Sequence, residues 1–226
     1  MTNYKRGSAA TVVVAGVVGL LIGWGIASSM GAGSTKTSDA TAMAPSTSTK
    51  AADLRVLLNA IEREHVDLAA AATRSGFDGT PAFQAIANQL DANSQALANA
   101  VGSVYGADAG KKFLDIWRSH ITFFVDYTLA AKAGDKAKMD KAVANLGGYA
   151  DAIAALLSGA TNGGLPVDAV KSLVMTHVGL LKDAVDAHAA KNPALSYAKQ
   201  HEANEQIGTI ADAIAGAIVK QYPEKF

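Results

Sequence analysis

Three histidines recur at matching places in the chain: His65, His120 and His177 stand 55 and 57 residues apart. Imidazole can bind a transition metal or move a proton near neutral pH, so three of them at one repeat are the clearest chemical signal in the sequence. The positions seven and four before, and three and four after, each histidine are apolar. They are Leu58, Ile61, Leu68 and Ala69, then Phe113, Ile116, Phe123 and Phe124, then Val170, Leu173, Leu180 and Leu181. That spacing is one face of an amphipathic helix, which places every histidine on an apolar face. A period near 55 fits a helix-loop-helix-loop unit used three times.

Depth counted back from each hairpin loop, at about 1.5 Å per residue, gives every histidine polar company. His65 falls level with Asn88 and Asp91, His120 with Asn145 and Tyr149, and His177 with Glu202, Glu205 and Gln206. Two chemistries follow. Each ring is either a core residue, hydrogen-bonded across its hairpin to fix register, or a ligand. In the second reading His65, His120 and His177 converge on one copper or zinc ion, with Asp91 or Glu202 as a further ligand. Haem on an axial histidine beside Trp117, Phe123 and Phe124 fits these residues less well, and a core that holds no ligand is the remaining option.

Other chemistries are poorly supplied. The chain has no cysteine, which excludes disulfides, thiolate metal sites and iron-sulfur ligation. Glu62 and His65 form an E-x-x-H pair, but Trp117 and Val174 stand where the second and third repeats would need the carboxylate, so a di-iron centre is not expected. Glu62 and Glu64 read as an exposed helix face. His188 and His201 flank the last hairpin loop and read as a surface pair. With no nucleophile motif, P-loop or dinucleotide fingerprint, the chain reads as a non-enzymatic protein.

The elements that position the histidines are helical almost throughout. Helices are predicted over 51–75, 80–104, 109–133, 136–158, 166–190 and 194–221. Thr80 is expected as an N-cap with Pro81 at the first helical position, and Gly134-Asp135 and Asn192-Pro193 break the later hairpins. Short connections favour antiparallel neighbours, so the fold class is all-α: a six-helix bundle of three antiparallel hairpins. The aromatic load of the third helix, Phe113, Trp117, Phe123, Phe124 and Tyr127, marks it as the expected centre.

Ahead of this bundle, residues 9–27 are an uncharged apolar run long enough for a bilayer core of about 30 Å. Lys5 and Arg6 precede the run, so the positive-inside rule sets a short cytoplasmic N-terminus, 1–8, and an extracytoplasmic remainder. An uncleaved signal-anchor is preferred to a cleaved signal peptide, which would make the protein secreted. Gly19 and Gly23 form a G-x-x-x-G pair that suits self-association of anchors. Residues 28–50, rich in Ser, Thr and Ala, read as a flexible linker, and 51–226 as the extracytoplasmic bundle. That domain has 16 Lys and Arg against 19 Asp and Glu, which gives no basic stripe for nucleic acid.

The segments Glu64-His65-Val66, Ser119-His120-Ile121 and Thr176-His177-Val178, with the C-terminal run from Ile218 to Phe226, resemble a group of secreted or membrane-anchored bacterial helical-bundle proteins whose biochemical role is unsettled. The resemblance spans about residues 54 to 226. It implies an all-helical extracytoplasmic domain with repeated histidine-bearing helices. Members carry a further histidine where this chain has Gln206, and Asn where it has Tyr149, so a four-histidine set is incomplete here.

Overall fold

The computed structural model describes residues 49–226. The signal-anchor, the Gly19 and Gly23 pair and the linker up to residue 48 lie outside the described residues. Among the described residues the chain forms six helices and no strand: α1 (Lys50–Asp78), α2 (Phe83–Tyr105), α3 (Ala107–Ala133), α4 (Lys136–Ala160), α5 (Val167–Ala189) and α6 (Pro193–Gln221). None of these helices is long and apolar enough to cross a membrane.

Local sequence sets the ends. Thr49 Oγ1 accepts from Ala52 N at 3.1 Å, Asp135 Oδ1 from Lys138 N at 3.1 Å and Asn192 Oδ1 from Leu195 N at 3.1 Å, each satisfying an otherwise unpaired amide of a first turn. Gly134 ends α3 at φ 68°, a left-handed conformation that a residue with a Cβ adopts at some strain. Thr80 departs from expectation. Its amide bonds back to Ser75 O at 2.9 Å and its hydroxyl to the Ser75 hydroxyl, so α1 runs on to Asp78 and α2 begins at Phe83 without a side-chain cap.

Each helix packs on the next in the chain, α6 closes on α1, and α1, α3 and α5 also touch one another. The result is a closed ring whose odd-numbered helices meet inside. The aromatic helix α3 therefore shares the centre with α1 and α5. A polar ladder runs the length of the α1–α6 seam. Arg55 pairs with Asp212, Arg63 with Glu205, Asp67 with Gln200 and Asn204, and Arg74 with Ser196, so numbers fall along α6 as they rise along α1 and the two helices are antiparallel. Exposed ion pairs of this kind contribute only about 0–1 kcal/mol each, and their main effect is to fix register. Stability comes from the interior, where Leu58, Val66, Phe113, Leu146, Ile153 and Ile207 are among the side chains sealed from water, each worth roughly 1.5–3 kcal/mol of transfer free energy.

The backbones of α2 and α3 approach closely at Gly110. A Cβ added at Gly110 would sit 2.6 Å from the Ala98 carbonyl oxygen and 3.1 Å from Gly102 Cα, so only hydrogen fits. Gly110→Ala is expected to destabilise the fold by about 1–3 kcal/mol through forced separation of the two helices. Gly147→Ala in α4, where an added Cβ meets nothing within 4 Å, is expected to be neutral or to stabilise by about 0.5–1 kcal/mol. Urea unfolding of both variants checks the contrast. Equal midpoints would show that the α2–α3 contact is not limiting.

Candidate functional site

The three repeat histidines come from the three inner helices, and the structure brings them to one region. His65 of α1 and His120 of α3 face each other with Nε2 atoms 3.3 Å apart and ring centroids 5.4 Å apart. Trp117, one helical turn before His120, packs against both rings at 4.8 and 4.6 Å, and Tyr149 of α4 covers His120 at 4.6 Å. His177 of α5 lines the same small cavity of about 40 Å³ as His65, His120, Glu62, Trp117 and Tyr149. Its Nδ1 is fixed by Gln206 Oε1 at 2.9 Å, and Gln206 Nε2 donates to Leu173 O at 2.9 Å, which leaves His177 Nε2 sealed inside without a partner.

Two of the residues expected at these levels lie beside their histidines: Tyr149 packs its ring on His120, and Gln206 bonds to His177. His65 has a different neighbour. Asn88 bonds to Gln84 on the surface, and the residue beside His65 is Asn93, whose Nδ2 is held by Ile61 O at 3.0 Å and Glu64 Oε2 at 2.8 Å. Asn93 lies on the buried stripe of α2 with Leu90, Ser94 and Leu97. Depth along the helix was legible, but depth alone does not say which way around the helix a side chain points.

Asp91 and Glu202 stand away from the histidines for the same reason. Asp91 is 45% exposed and holds Arg118 in a two-pronged ion pair at 2.7 and 2.9 Å; Glu202 is 48% exposed and pairs with Lys199 at 2.8 Å. His188 bonds to Asp78 at 2.9 Å and packs on Phe77, while His201 is exposed on α6, so those two do not meet.

Glu62 corrects the sequence reading outright. It is 2% exposed, on the buried stripe of α1 with Leu58, His65 and Val66, while Glu64 stays at the surface. The signal was present: Glu62 lies four residues after Leu58 and three before His65, on the face that every neighbour marked as internal. Burial pushes its carboxyl up to about 8, so it is protonated at neutral pH. Burial also lowers His65 to about 3, with repulsion from His177 adding to it and Asn93 opposing, and lowers His177 to about 4 against the Gln206 hydrogen bond. His120 is pulled well below its ordinary range by burial and by the neighbouring histidines. Burial, then the nearness of Glu62, holds the Tyr149 phenol protonated. The cluster is thus a set of neutral groups in an apolar shell.

Six buried side-chain polar atoms among the described residues lack a hydrogen-bond partner: Glu62 Oε2, His65 Nδ1, Asn93 Oδ1, Trp117 Nε1, His120 Nδ1 and His177 Nε2. All belong to this one cluster. Buried polar atoms are nearly always paired, so their concentration here singles out this region as the candidate site. No three His, Asp or Glu side chains among the described residues are grouped so as to hold a metal ion in their present positions. The closest approach between histidine rings is that of His65 and His120.

These shifts give stability a definite pH profile. Glu62 titrates near 4.5 when unfolded and about 8 when folded, so between those values the folded state holds a proton that the unfolded state lacks, and stability falls as pH rises. His65 and His177 act oppositely: unfolded near 6.5 and folded about 3 and 4, they remove stability as pH falls below 6.5. From these groups together the maximum lies near pH 6.5, and Glu62 alone makes stability decline as pH rises toward 8. Glu62→Gln is expected to flatten that alkaline limb in chelator-treated protein followed by urea unfolding. An unchanged slope would assign the limb to another group. No protein-family model, no curated protein and no solved structure matches this chain.

Proposed function

We propose that the chain is a membrane-tethered, extracytoplasmic, non-catalytic bundle of three antiparallel hairpins that holds a transition metal through His65, His120 and His177. One observation carries this reading: the 3.3 Å separation of the two Nε2 atoms. Two imidazoles on one tetrahedral ion, with metal–nitrogen bonds of about 2.0–2.1 Å, place their nitrogens about 3.3–3.4 Å apart. The protonation states also suit ligation, because a metal takes the neutral ring and all three histidines resist protonation.

His177 presents the free Nε2 that would complete a three-nitrogen set, with Gln206 on its Nδ1 acting as the outer partner that orients a ligand ring. Copper or zinc suits such a donor set. Haem would require the His65 and His120 rings to part. The apolar run at 9–27 supports the tether, and Lys5 and Arg6 ahead of it support an extracytoplasmic bundle by the positive-inside rule.

A second reading has its own observation. A 3.3 Å contact between two neutral imidazoles is also a weak N–H···N hydrogen bond, and the chain from His177 through Gln206 to Leu173 O is a complete structural bridge. In that case the bundle is a structural or adhesion module whose histidines only set packing.

Full-length protein purified without a His tag separates the two. Elemental analysis with an absorbance spectrum is expected to find about one copper or zinc per chain. His120→Ala should lose that metal while keeping its helical circular dichroism, and His177→Ala should bind more weakly than the wild type. Background metal content in both metal-loaded and chelated wild-type preparations would remove the metal reading and leave the structural one.

A further inference from the structure

A second, larger cavity of about 310 Å³ lies at the end of the bundle where α1 turns into α2, bounded by the C-terminal halves of α1, α3 and α5. Its walls are apolar, with Ala69, Leu90, Phe124, Leu181 and Val185 among them, and its inner end is the His65–His120 pair. The outer end meets a vestibule of about 380 Å³ with a polar rim of Arg74, Ser75, Asp78, Thr80 and His188. Cavities of roughly 300–1,000 Å³ lined by apolar side chains with a few convergent polar groups are typical of small-molecule sites.

The charge at the mouth says which kind of molecule fits. Arg74 is half-buried, yet it has no carboxylate within ion-pair distance among the described residues. Its guanidinium donates to Gln200 Oε1 at 2.6 Å and Ser196 Oγ at 3.2 Å, and it lies 4.2 Å over the Tyr197 ring, all of them neutral groups. Lys132 Nζ reaches over Gly79 at the same lip and likewise makes no ion pair there. The Asp78 carboxylate is already taken by His188 at 2.9 Å. A partly desolvated guanidinium without a counter-charge, at the mouth of an apolar tunnel, is complementary to an anionic head on an apolar tail.

We infer that this cavity binds a single-chain anionic amphiphile of the fatty-acid class, with its carboxylate at Arg74 and its chain running inward to the His65–His120 pair. The inference is independent of the metal reading, since it rests on the tunnel and its mouth. It also gives Arg74 a role that its position in the α1–α6 seam does not need, because Asp67 already holds Gln200 at 2.9 Å.

The inner end of the tunnel carries its own reporter. Trp117 packs on both histidines, and Trp24 is the chain's other tryptophan, so a full-length Trp24→Phe chain isolates the Trp117 signal. In phosphatidylcholine nanodiscs, with empty discs as the blank for partitioning, 12-bromododecanoate is expected to quench Trp117 saturably and more strongly than 2-bromododecanoate. Arg74→Gln should weaken dodecanoate binding by about tenfold to a hundredfold, the loss expected for one charge-assisted hydrogen-bonded pair. Ala69→Phe, which fills the tunnel and leaves Arg74 in place, should also abolish the quenching. Absence of saturable quenching, stronger quenching by the 2-bromo acid, equal affinity for dodecyltrimethylammonium, or an unchanged affinity in Arg74→Gln would each overturn the inference. Metal content measured on the same preparations reports on the histidine cluster separately.

Discussion

Keeping ionisable groups neutral inside an apolar core is the constraint on which the rest of this structure depends. Glu62, His65, His120 and His177 could all be charged in water, and any charge they kept on burial would be strongly destabilising. The fold does not answer with counter-charges. Among the described residues no Lys or Arg lies in the cluster, and their ion pairs lie outside it, some across the α1–α6, α2–α3 and α4–α5 seams and others within single helices. Neutralisation is achieved by proton equilibria instead, with the acid kept protonated and the bases deprotonated. The aromatic shell of Phe113, Trp117, Phe124 and Tyr149 holds this arrangement in place by excluding the water that would reverse it.

The two cavities share one wall. His65, His120, Phe124 and Leu181 line both, so the histidine pair separates the small chamber from the larger tunnel. Anything that shifted either ring would change both spaces together. The pair itself depends on little hydrogen bonding, since both Nδ1 atoms are unpartnered and the rings are held mainly by packing on Trp117 and Tyr149. His177 differs in that Gln206 locks its ring.

Much of this was legible in the sequence, and the part that was not has a specific cause. Period-3.6 patterning located six helices with every boundary within three residues, and it put the three histidines on internal faces. Level counting found Tyr149, on the buried stripe of α4, and Gln206, half-buried beside Ile207 on α6, because both lie at the right depth. It selected Asp91 and Glu202 wrongly, because a carboxylate one or two residues off the stripe is rotated by about 100° per residue and meets Arg118 or Lys199 at the surface instead. Glu62 and Asn93 were passed over because polar residues are usually exposed, although their neighbours at helical spacing were all internal. The tunnel had no sequence signal at all. A void is the difference between the volumes of side chains from several helices and the space those helices enclose, and no single segment encodes it.

The antiparallel seam between α1 and α6 has a consequence in time as well as in space. It joins the first and last helices of the bundle, so its contacts span more than a hundred residues of sequence, from Arg74 with Ser196 to Arg55 with Asp212. Contacts that distant are slow to form, and on a ribosome they cannot begin until the C-terminal helix has emerged. α6 also supplies Ile207, Ile210 and Ile214 to the wall of the histidine chamber and Gln206 to the ring of His177. The chamber therefore stays open to its surroundings until α6 docks, and the step that closes the ring of helices also closes the chamber.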